Sequence, residues 1–171
     1  DEGFDGVSIS ACIEEIVLID NQLWGNCNSG IAIYDISNPS NLSLVNQVTG
    51  VGSFGGGFAT DGTHAVTLSG SNNDGRMSVF DVSDVNNISL LETLRSTSEG
   101  GTVKNLSSPS GVAIDGNEVF IISGGVSNTD ANNSLMKFTI SGSDVSLTET
   151  IEDDGEGGDA IKLDDPSDIA A

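Results

Sequence analysis

Carboxylates are concentrated in one run near the end of this 171-residue sequence. The run reads Glu152-Asp-Asp-Gly-Glu-Gly-Gly-Asp159, and more aspartates follow it up to Asp168. Ca²⁺ takes about six to eight oxygen ligands, and glycine lets a backbone turn tightly around an ion. The run therefore predicts a calcium site in the acidic 152–168 loop, with the ligands Asp153, Asp154, Glu156 and Asp159. The EF-hand spacing is absent, so a solvated acidic loop is the alternative. No other cofactor is expected.

Two cysteines, Cys12 and Cys27, flank a strand-turn-strand pattern. A disulfide between them would close a short loop and stabilise the fold by roughly 3 kcal/mol. Such bridges are typical of oxidising compartments, so we predict a disulfide and a secreted protein. Two buried thiols that pack as small apolar residues are the alternative. A zinc site is not expected, because the single histidine, His64, belongs to another part of the sequence.

Four asparagines begin the Asn-X-Ser pattern of N-glycosylation: Asn41, Asn87, Asn105 and Asn132. Asn41 and Asn87 occupy equivalent positions in a repeated segment described below. Asn and Ser are also common turn residues, so chance occurrence of the pattern is the alternative.

No catalytic residue is predicted. His64 falls within a predicted strand, and the sequence contains no Gly-x-Ser-x-Gly elbow, phosphate loop or zinc-protease helix. Pairs of carboxylates occur throughout so acidic a chain and indicate no particular site.

The charge balance is extreme, with 26 acidic residues against 5 basic ones and a formal net charge of −21. This charge repels nucleic acid and anionic membranes, so neither is expected as a partner. No apolar run approaches the roughly 20 residues that span a bilayer. A surface rich in Asp, Asn, Ser and Thr suits a marine or saline setting, where salt screens the repulsion. The start, Asp1-Glu-Gly-Phe-Asp5, fits a mature secreted chain and also a cytosolic one.

One segment recurs along the chain. Ile31-Ala-Ile-Tyr-Asp-Ile-Ser-Asn-Pro-Ser-Asn-Leu-Ser-Leu44 is repeated as Met77-Ser-Val-Phe-Asp-Val-Ser-Asp-Val-Asn-Asn-Ile-Ser-Leu90, and a diverged copy ends at Leu147. Each copy alternates apolar residues on both sides of a turn, which predicts a β-hairpin. A second hairpin precedes each copy, with its turn marked by Asp20, Asp61 or Asp115. Each repeat unit therefore contains four strands.

These units predict an all-β fold of four-stranded antiparallel blade repeats, as in a β-propeller. We place the units at about 14–49, 54–97 and 108–152, within a single propeller-like domain or segment at 1–171. Residues 165–171 match the start of the third unit and predict the first strand of a fourth blade. Three full blades and one strand fall short of the roughly four to eight blades of a closed propeller.

The hairpin that contains Asp35-Ile-Ser-Asn-Pro-Ser-Asn41 resembles the LVIVD-type repeats of secreted bacterial and archaeal β-propellers. The third unit, with Ser108-Pro-Ser-Gly-Val-Ala-Ile-Asp-Gly-Asn117, is also similar to an NHL-type blade. The resemblance covers about residues 14–152 and implies an architecture. It implies no catalytic residues.

The first functional hypothesis is a non-enzymatic, extracellular or cell-surface module with a structural or adhesive role. Its incomplete end blades would pair with another copy, giving a filament or ring, or with further blades of a longer chain. A surface glycan or a protein is the expected ligand. The alternatives are a calcium-dependent binding domain that uses the acidic 152–168 loop and a hydrolase built on a propeller scaffold.

Overall fold

The computed structural model of the chain describes residues 15–27, 30–49, 56–70, 74–97, 100–124, 133–152 and 169. The strands of blade 1 are β1 (Ile16–Ile19), β2 (Gln22–Cys27), β3 (Gly30–Asp35) and β4 (Ser43–Thr49). Those of blade 2 are β5 (Gly57–Thr60), β6 (His64–Ser69), β7 (Arg76–Asp81) and β8 (Ser89–Arg95). Those of blade 3 are β9 (Pro109–Asp115), β10 (Glu118–Ser123), β11 (Ser134–Ser141) and β12 (Asp144–Glu152).

Each blade is a four-stranded antiparallel sheet in which every strand pairs with the next one along the chain. The prediction of an all-β fold made of four-stranded antiparallel blade repeats is therefore confirmed. The predicted first strand of a fourth blade, residues 165–171, lies outside the described residues except for Ile169.

The β3–β4 and β7–β8 hairpins turn through the same pair of local hydrogen bonds. The Ser37 N–H donates to Asp35 Oδ1 at 2.8 Å, and the Ser40 N–H donates to Asn38 Oδ1 at 3.1 Å. Blade 2 repeats both bonds at 3.0 Å, on Asp81 and Asp84. Side chains of Asp and Asn favour turns because they can accept from a backbone N–H two residues ahead. The repeated sequence therefore encodes the repeated turn.

A β-bulge recurs between the third and fourth strands of every blade. The register shifts immediately before Tyr34, Phe80 and Phe138, which then lie opposite Leu44, Leu90 and Leu147. A bulge increases the local twist of its strand. The aromatic residue and its leucine therefore mark equivalent positions in the three blades.

Two buried apolar cores join the blades. The first interblade core combines residues of blades 1 and 2: Trp24, Ile31, Ile33, Phe58, Ala65, Phe80 and Val82. The second interblade core combines residues of blade 2 with blade 3 and the segment before it: Ala59, Val66, Leu68, Met77, Val79, Val103, Leu106, Val112, Val119, Ile121, Met136, Phe138, Ile140 and Val145. Blade 2 contributes alternate residues of its strands to the two cores, so both of its faces are buried.

We call the side of a blade that faces the preceding blade its front face, and the opposite side its back face. Phe80 lies on the front face of blade 2, within the first interblade core, and Val79 lies on the back face, within the second. The repeated register assigns Tyr34 to the front face of blade 1 and Lys137 to the back face of blade 3. These two faces are the outer faces of the three-blade unit.

Within the described ranges, no helix is long and apolar enough to cross a membrane.

Candidate binding surface

Several predicted site residues lie outside the part of the chain that the structure describes. They are the proposed calcium ligands Asp153, Asp154, Glu156 and Asp159, the sequon residue Asn132 and the disulfide partner Cys12. Cys27 is the last residue of β2. The calcium site and the Cys12–Cys27 disulfide therefore stay predictions. Among the residues that are described, no group of three His, Cys, Asp or Glu side chains could hold a metal ion.

The structure separates the remaining sequon asparagines. Asn41 and Asn87 are exposed in the equivalent turns of blades 1 and 2. Asn105 is buried, and its Nδ2 donates to Glu152 Oε1 at 2.6 Å. N-glycosylation joins the sugar to this same nitrogen, so the prediction of a glycan at Asn105 does not fit the fold. Asn41 and Asn87 stay predicted acceptors.

Hydrogen bonds in the β3–β4 and β7–β8 turns lower the pKa values of Asp35 and Asp81. The backbone N–H of Ser37 is the main cause that lowers the pKa of Asp35, and the Ser37 side chain adds to it. The Ser83 hydroxyl, 2.6 Å from Oδ1, is the main cause that lowers the pKa of Asp81, followed by the Ser83 N–H. His64 lies opposite Asp81 across β6 and β7. These hydrogen bonds fix the conformation of the two turns. They identify no candidate catalytic residue for the hydrolase hypothesis.

The front face of blade 1 presents apolar side chains at positions that are buried in the other two blades. Ile16 is 59% exposed, whereas the equivalent Phe58 and Val112 are 5% and 7% exposed. Leu18, on the same side of β1, is 63% exposed.

The pattern extends across blade 1. Leu23 and Ile36 are partly exposed, while their equivalents in blades 2 and 3 are buried: Ala65, Val82, Val119 and Ile140. Leu42 is exposed where blade 3 has the buried Val145. Exposed large apolar patches usually mark an interaction surface. Our candidate binding surface therefore consists of five exposed or partly exposed side chains of this face: Ile16, Leu18, Leu23, Ile36 and Leu42. Tyr34, opposite Leu23 in the sheet, is buried.

The back face of blade 3 has a different chemistry. Ala113 and Ile122 are buried there, and Leu135 and Ile151 are partly exposed. At the position before the aromatic residue, where blades 1 and 2 have the buried Ile33 and Val79, blade 3 has Lys137.

Lys137 makes two contacts on that face. Its Nζ lies 2.6 Å from Glu118 Oε1 and 5.7 Å from the centre of the Phe120 ring. An ammonium group at that distance over an aromatic ring makes a favourable cation–π contact. The two outer faces of the three-blade unit therefore differ. The front face of blade 1 is apolar, whereas the back face of blade 3 has an ion pair between Lys137 and Glu118 beside the Phe120 ring.

Side chains on the fourth strands reach from one blade to the next. Asn46 Nδ2 donates to the Val85 carbonyl oxygen at 2.6 Å, which links blade 1 to blade 2. Glu92 occupies the same position in blade 2, and its Oε2 accepts from the Val145 N–H of blade 3 at 2.8 Å. Glu149 occupies that position in blade 3 and is exposed.

The sequence interpretation did not single out Lys137, Glu118 or Glu149. A signal was present, because the third copy of the repeated segment has Lys137 where the first two copies have Ile33 and Val79. Comparison of the three copies, position by position, would have found it.

Comparisons with known proteins place the chain by its fold. No protein-family model and no curated protein matches it. A crystal structure of a functionally unknown protein from Desulfotomaculum acetoxidans DSM 771 aligns with 81% of this chain, with a TM-score of 0.54 and 19% sequence identity. The alignment covers 42% of that protein, so this chain matches less than half of its length.

More distant matches include two structures that contain Nup159. One is a complex of S. cerevisiae Dbp5 with Nup159 and Gle1, aligned over 81% of this chain and 30% of that chain with 11% identity and a TM-score of 0.46. The other is the N-terminal domain of Nup159, aligned over 82% of this chain and 30% of that chain with 11% identity and a TM-score of 0.42. Of these matches, the Desulfotomaculum protein is similar to the described part of the chain in fold.

Proposed function

We propose that the chain is a non-enzymatic structural module whose candidate binding surface packs against another propeller-like blade. The observation that carries the proposal is the contrast between Ile16, which is 59% exposed, and the equivalent Phe58 and Val112, which are buried. In blades 2 and 3 these positions are covered by the preceding blade. A blade that covered blade 1 in the same way would remove its exposed apolar side chains from water.

Two sources could supply that blade. A second copy of the chain would give rings or filaments, and a longer chain would give further blades of the same ring. With either source the function is structural, because the surface would hold an assembly together and would not act on a substrate.

We place this module outside the cell or at its surface, in a saline medium. The net charge of −21 supports a saline setting, because salt screens the repulsion between acidic surfaces that an assembly brings together. Adhesion to a glycan or a protein would then use the rims of the assembled blades. Labelling of intact source cells with an antibody against the chain tests the location, and signal that appears only after permeabilisation would contradict it.

The test of the surface itself uses sedimentation velocity and a dye that fluoresces on exposed apolar surface. We expect the wild-type chain either to associate or, as a monomer, to bind the dye strongly. Leu18→Asp should abolish whichever of the two is seen. Leu90→Asp is the matched control, because Leu90 is also an exposed leucine but lies on the outermost strand of blade 2. A monomer that binds no dye, or equal effects of the two substitutions, would overturn the proposed function.

A further inference from the structure

We infer that the blade that covers the candidate binding surface is blade 3 of a second copy, joined head to tail. The inference rests on the proposed function and deepens it by naming the partner. It starts from two places in the chain where a residue on the back face of one blade shares a core with an aromatic residue on the front face of the next, and the joint would be the third such place.

The first two places are apolar on both sides. Ile33 of blade 1 and Phe80 of blade 2 share the first interblade core, and Val79 of blade 2 and Phe138 of blade 3 share the second. Continued by the same rule, the series would place Lys137 of one copy against Tyr34 of the next.

Lys137 and Tyr34 are the polar members of their two series. Lys137 replaces Ile33 and Val79, while Tyr34 replaces Phe80 and Phe138. All three aromatic residues are buried, with exposed fractions of 8% for Tyr34, 1% for Phe80 and 0% for Phe138. A lysine ammonium group has three donors, and a tyrosine ring and hydroxyl oxygen both attract a cation. Lys137 of one copy and Tyr34 of the next, the two polar exceptions to the apolar pattern, would thus meet at the same interface between copies, which we call the head-to-tail joint.

A second series points to the same joint. Asn46 and Glu92 each bond the backbone of the following blade near its outer hairpin, and Glu149 stands at the equivalent position of blade 3. Glu92 accepts from the N–H of Val145, whose equivalent in blade 1 is Leu42. In the head-to-tail joint, Glu149 of one copy would accept from the Leu42 N–H of the next.

Copies joined in this way would continue the blade-to-blade packing that the described blades show within one copy. Each copy would then use both of its outer faces, and the contact would be heterologous, with different surfaces meeting.

The experiment blocks one face at a time. Leu18→Asp blocks the front face of blade 1, and Lys137→Asp blocks the back face of blade 3. In sedimentation velocity at high salt, we expect the wild-type chain to form dimers or larger assemblies and each variant alone to be monomeric. An equimolar mixture of the two variants should form a heterodimer, because each supplies the face that the other lacks.

Lys137→Asp sets two carboxylates side by side with Glu118 and could destabilise blade 3, so Glu149→Ala is the second variant. Glu149 is exposed, so its loss should leave the melting temperature of the dilute monomer unchanged. It should weaken dimerisation about tenfold, as expected when a charged hydrogen bond is removed. Asp115→Asn, at an exposed inner turn, removes the same charge away from the joint and should leave dimerisation unchanged.

The outcomes separate this inference from the proposed function. Dimers of Lys137→Asp alone that Leu18→Asp abolishes would show front-to-front packing, which overturns the head-to-tail joint and keeps the proposed surface. A monomeric wild-type chain that binds the apolar dye through Leu18 would also overturn the joint, since the covering blade would then come from a longer chain. Equal effects of Glu149→Ala and Asp115→Asn on dimerisation would count against the placement of Glu149.

Discussion

Asn105 Nδ2 donates a 2.6 Å hydrogen bond to Glu152 Oε1 and thereby ties the segment between blades 2 and 3 to the end of β12. Lys104 Nζ lies 3.3 Å from the same carboxylate oxygen. Asn105 is buried and has a φ of 69°, a left-handed conformation that asparagine tolerates better than most residues. Glu152 therefore takes part in the contact between this segment and blade 3.

Asn105→Ala is expected to destabilise the fold by about 2 to 3 kcal/mol, because it removes a charged hydrogen bond and puts alanine at a positive φ. Asn105→Gly should lose less stability, since glycine adopts that φ without strain. Urea unfolding followed by fluorescence measures both changes. Asn41→Ala, at an exposed turn, serves as the control. Equal losses for alanine and glycine at position 105 would mean that backbone strain plays no part.

Truncations at one repeat position should have very different effects in different blades. Phe58→Ala removes a buried side chain of the first interblade core and should destabilise the chain by about 3 to 5 kcal/mol. Ile16→Ala, at the equivalent exposed position, should change stability by less than about 0.5 kcal/mol. Urea unfolding of the dilute monomer compares them. A large loss for Ile16→Ala would show that this position is covered in the monomer.

This pair also marks the limit of what the sequence could predict. The hairpins were predictable because alternation and Asx turns are local: Asp35 and Asp81 each fix a turn through residues only two positions away. Ile16 and Phe58 are both apolar residues on an inner strand, and no local pattern distinguishes the covered one from the exposed one. That difference depends on which blade lies beside each face.

The same reasoning explains the sequon at Asn105. The Asn-X-Ser pattern is identical at Asn41 and Asn105, but only the latter is enclosed by a neighbouring strand. Burial of this kind arises from contacts 47 residues apart in the sequence, which a three-residue motif does not report.

The lowered pKa values of Asp35 and Asp81 predict how stability depends on pH. A carboxyl group whose pKa is lower in the folded state contributes stability above its unfolded pKa, which for both residues is near 3.8. That contribution is lost as the pH falls through the lower folded pKa. Asp81→Asn keeps an oxygen for the Ser83 N–H but removes the charge. The wild-type chain should therefore be the more stable one near neutral pH, and the difference should shrink as the pH falls below about 4.

Urea unfolding of both proteins across this range, in about 1 M NaCl, measures the difference while salt screens general charge repulsion. Asp84→Asn in the same turn is the matched control for the loss of one negative charge. A wild-type advantage that stays constant down to pH 2 would contradict the role assigned to the Asp81 charge.

Salt should stabilise the chain even where no partner is present. At a net charge of −21, repulsion between carboxylates opposes the compact state. An increase in NaCl from about 0.01 M to 1 M shortens the screening length from about 30 Å to 3 Å. The melting temperature of the dilute monomer should therefore rise steadily over this range. A constant or falling melting temperature would mean that repulsion between the carboxylates does not destabilise the folded chain. Sucrose at matched osmolality is the control for effects of the solute other than charge screening.

Calcium gives the last prediction, which tests the acidic loop apart from general screening. Glu152 is held by Asn105 and Lys104, so the candidate ligands begin at Asp153. If Asp153, Asp154, Glu156 and Asp159 form a site, about 1 mM CaCl₂ should raise the melting temperature more than NaCl of equal ionic strength, because a ligand that binds only the folded state stabilises it. A double substitution, Asp153→Asn with Asp159→Asn, should remove that extra increase and keep the response to NaCl. Equal responses to the two salts in the wild-type chain would identify the run as a solvated acidic loop.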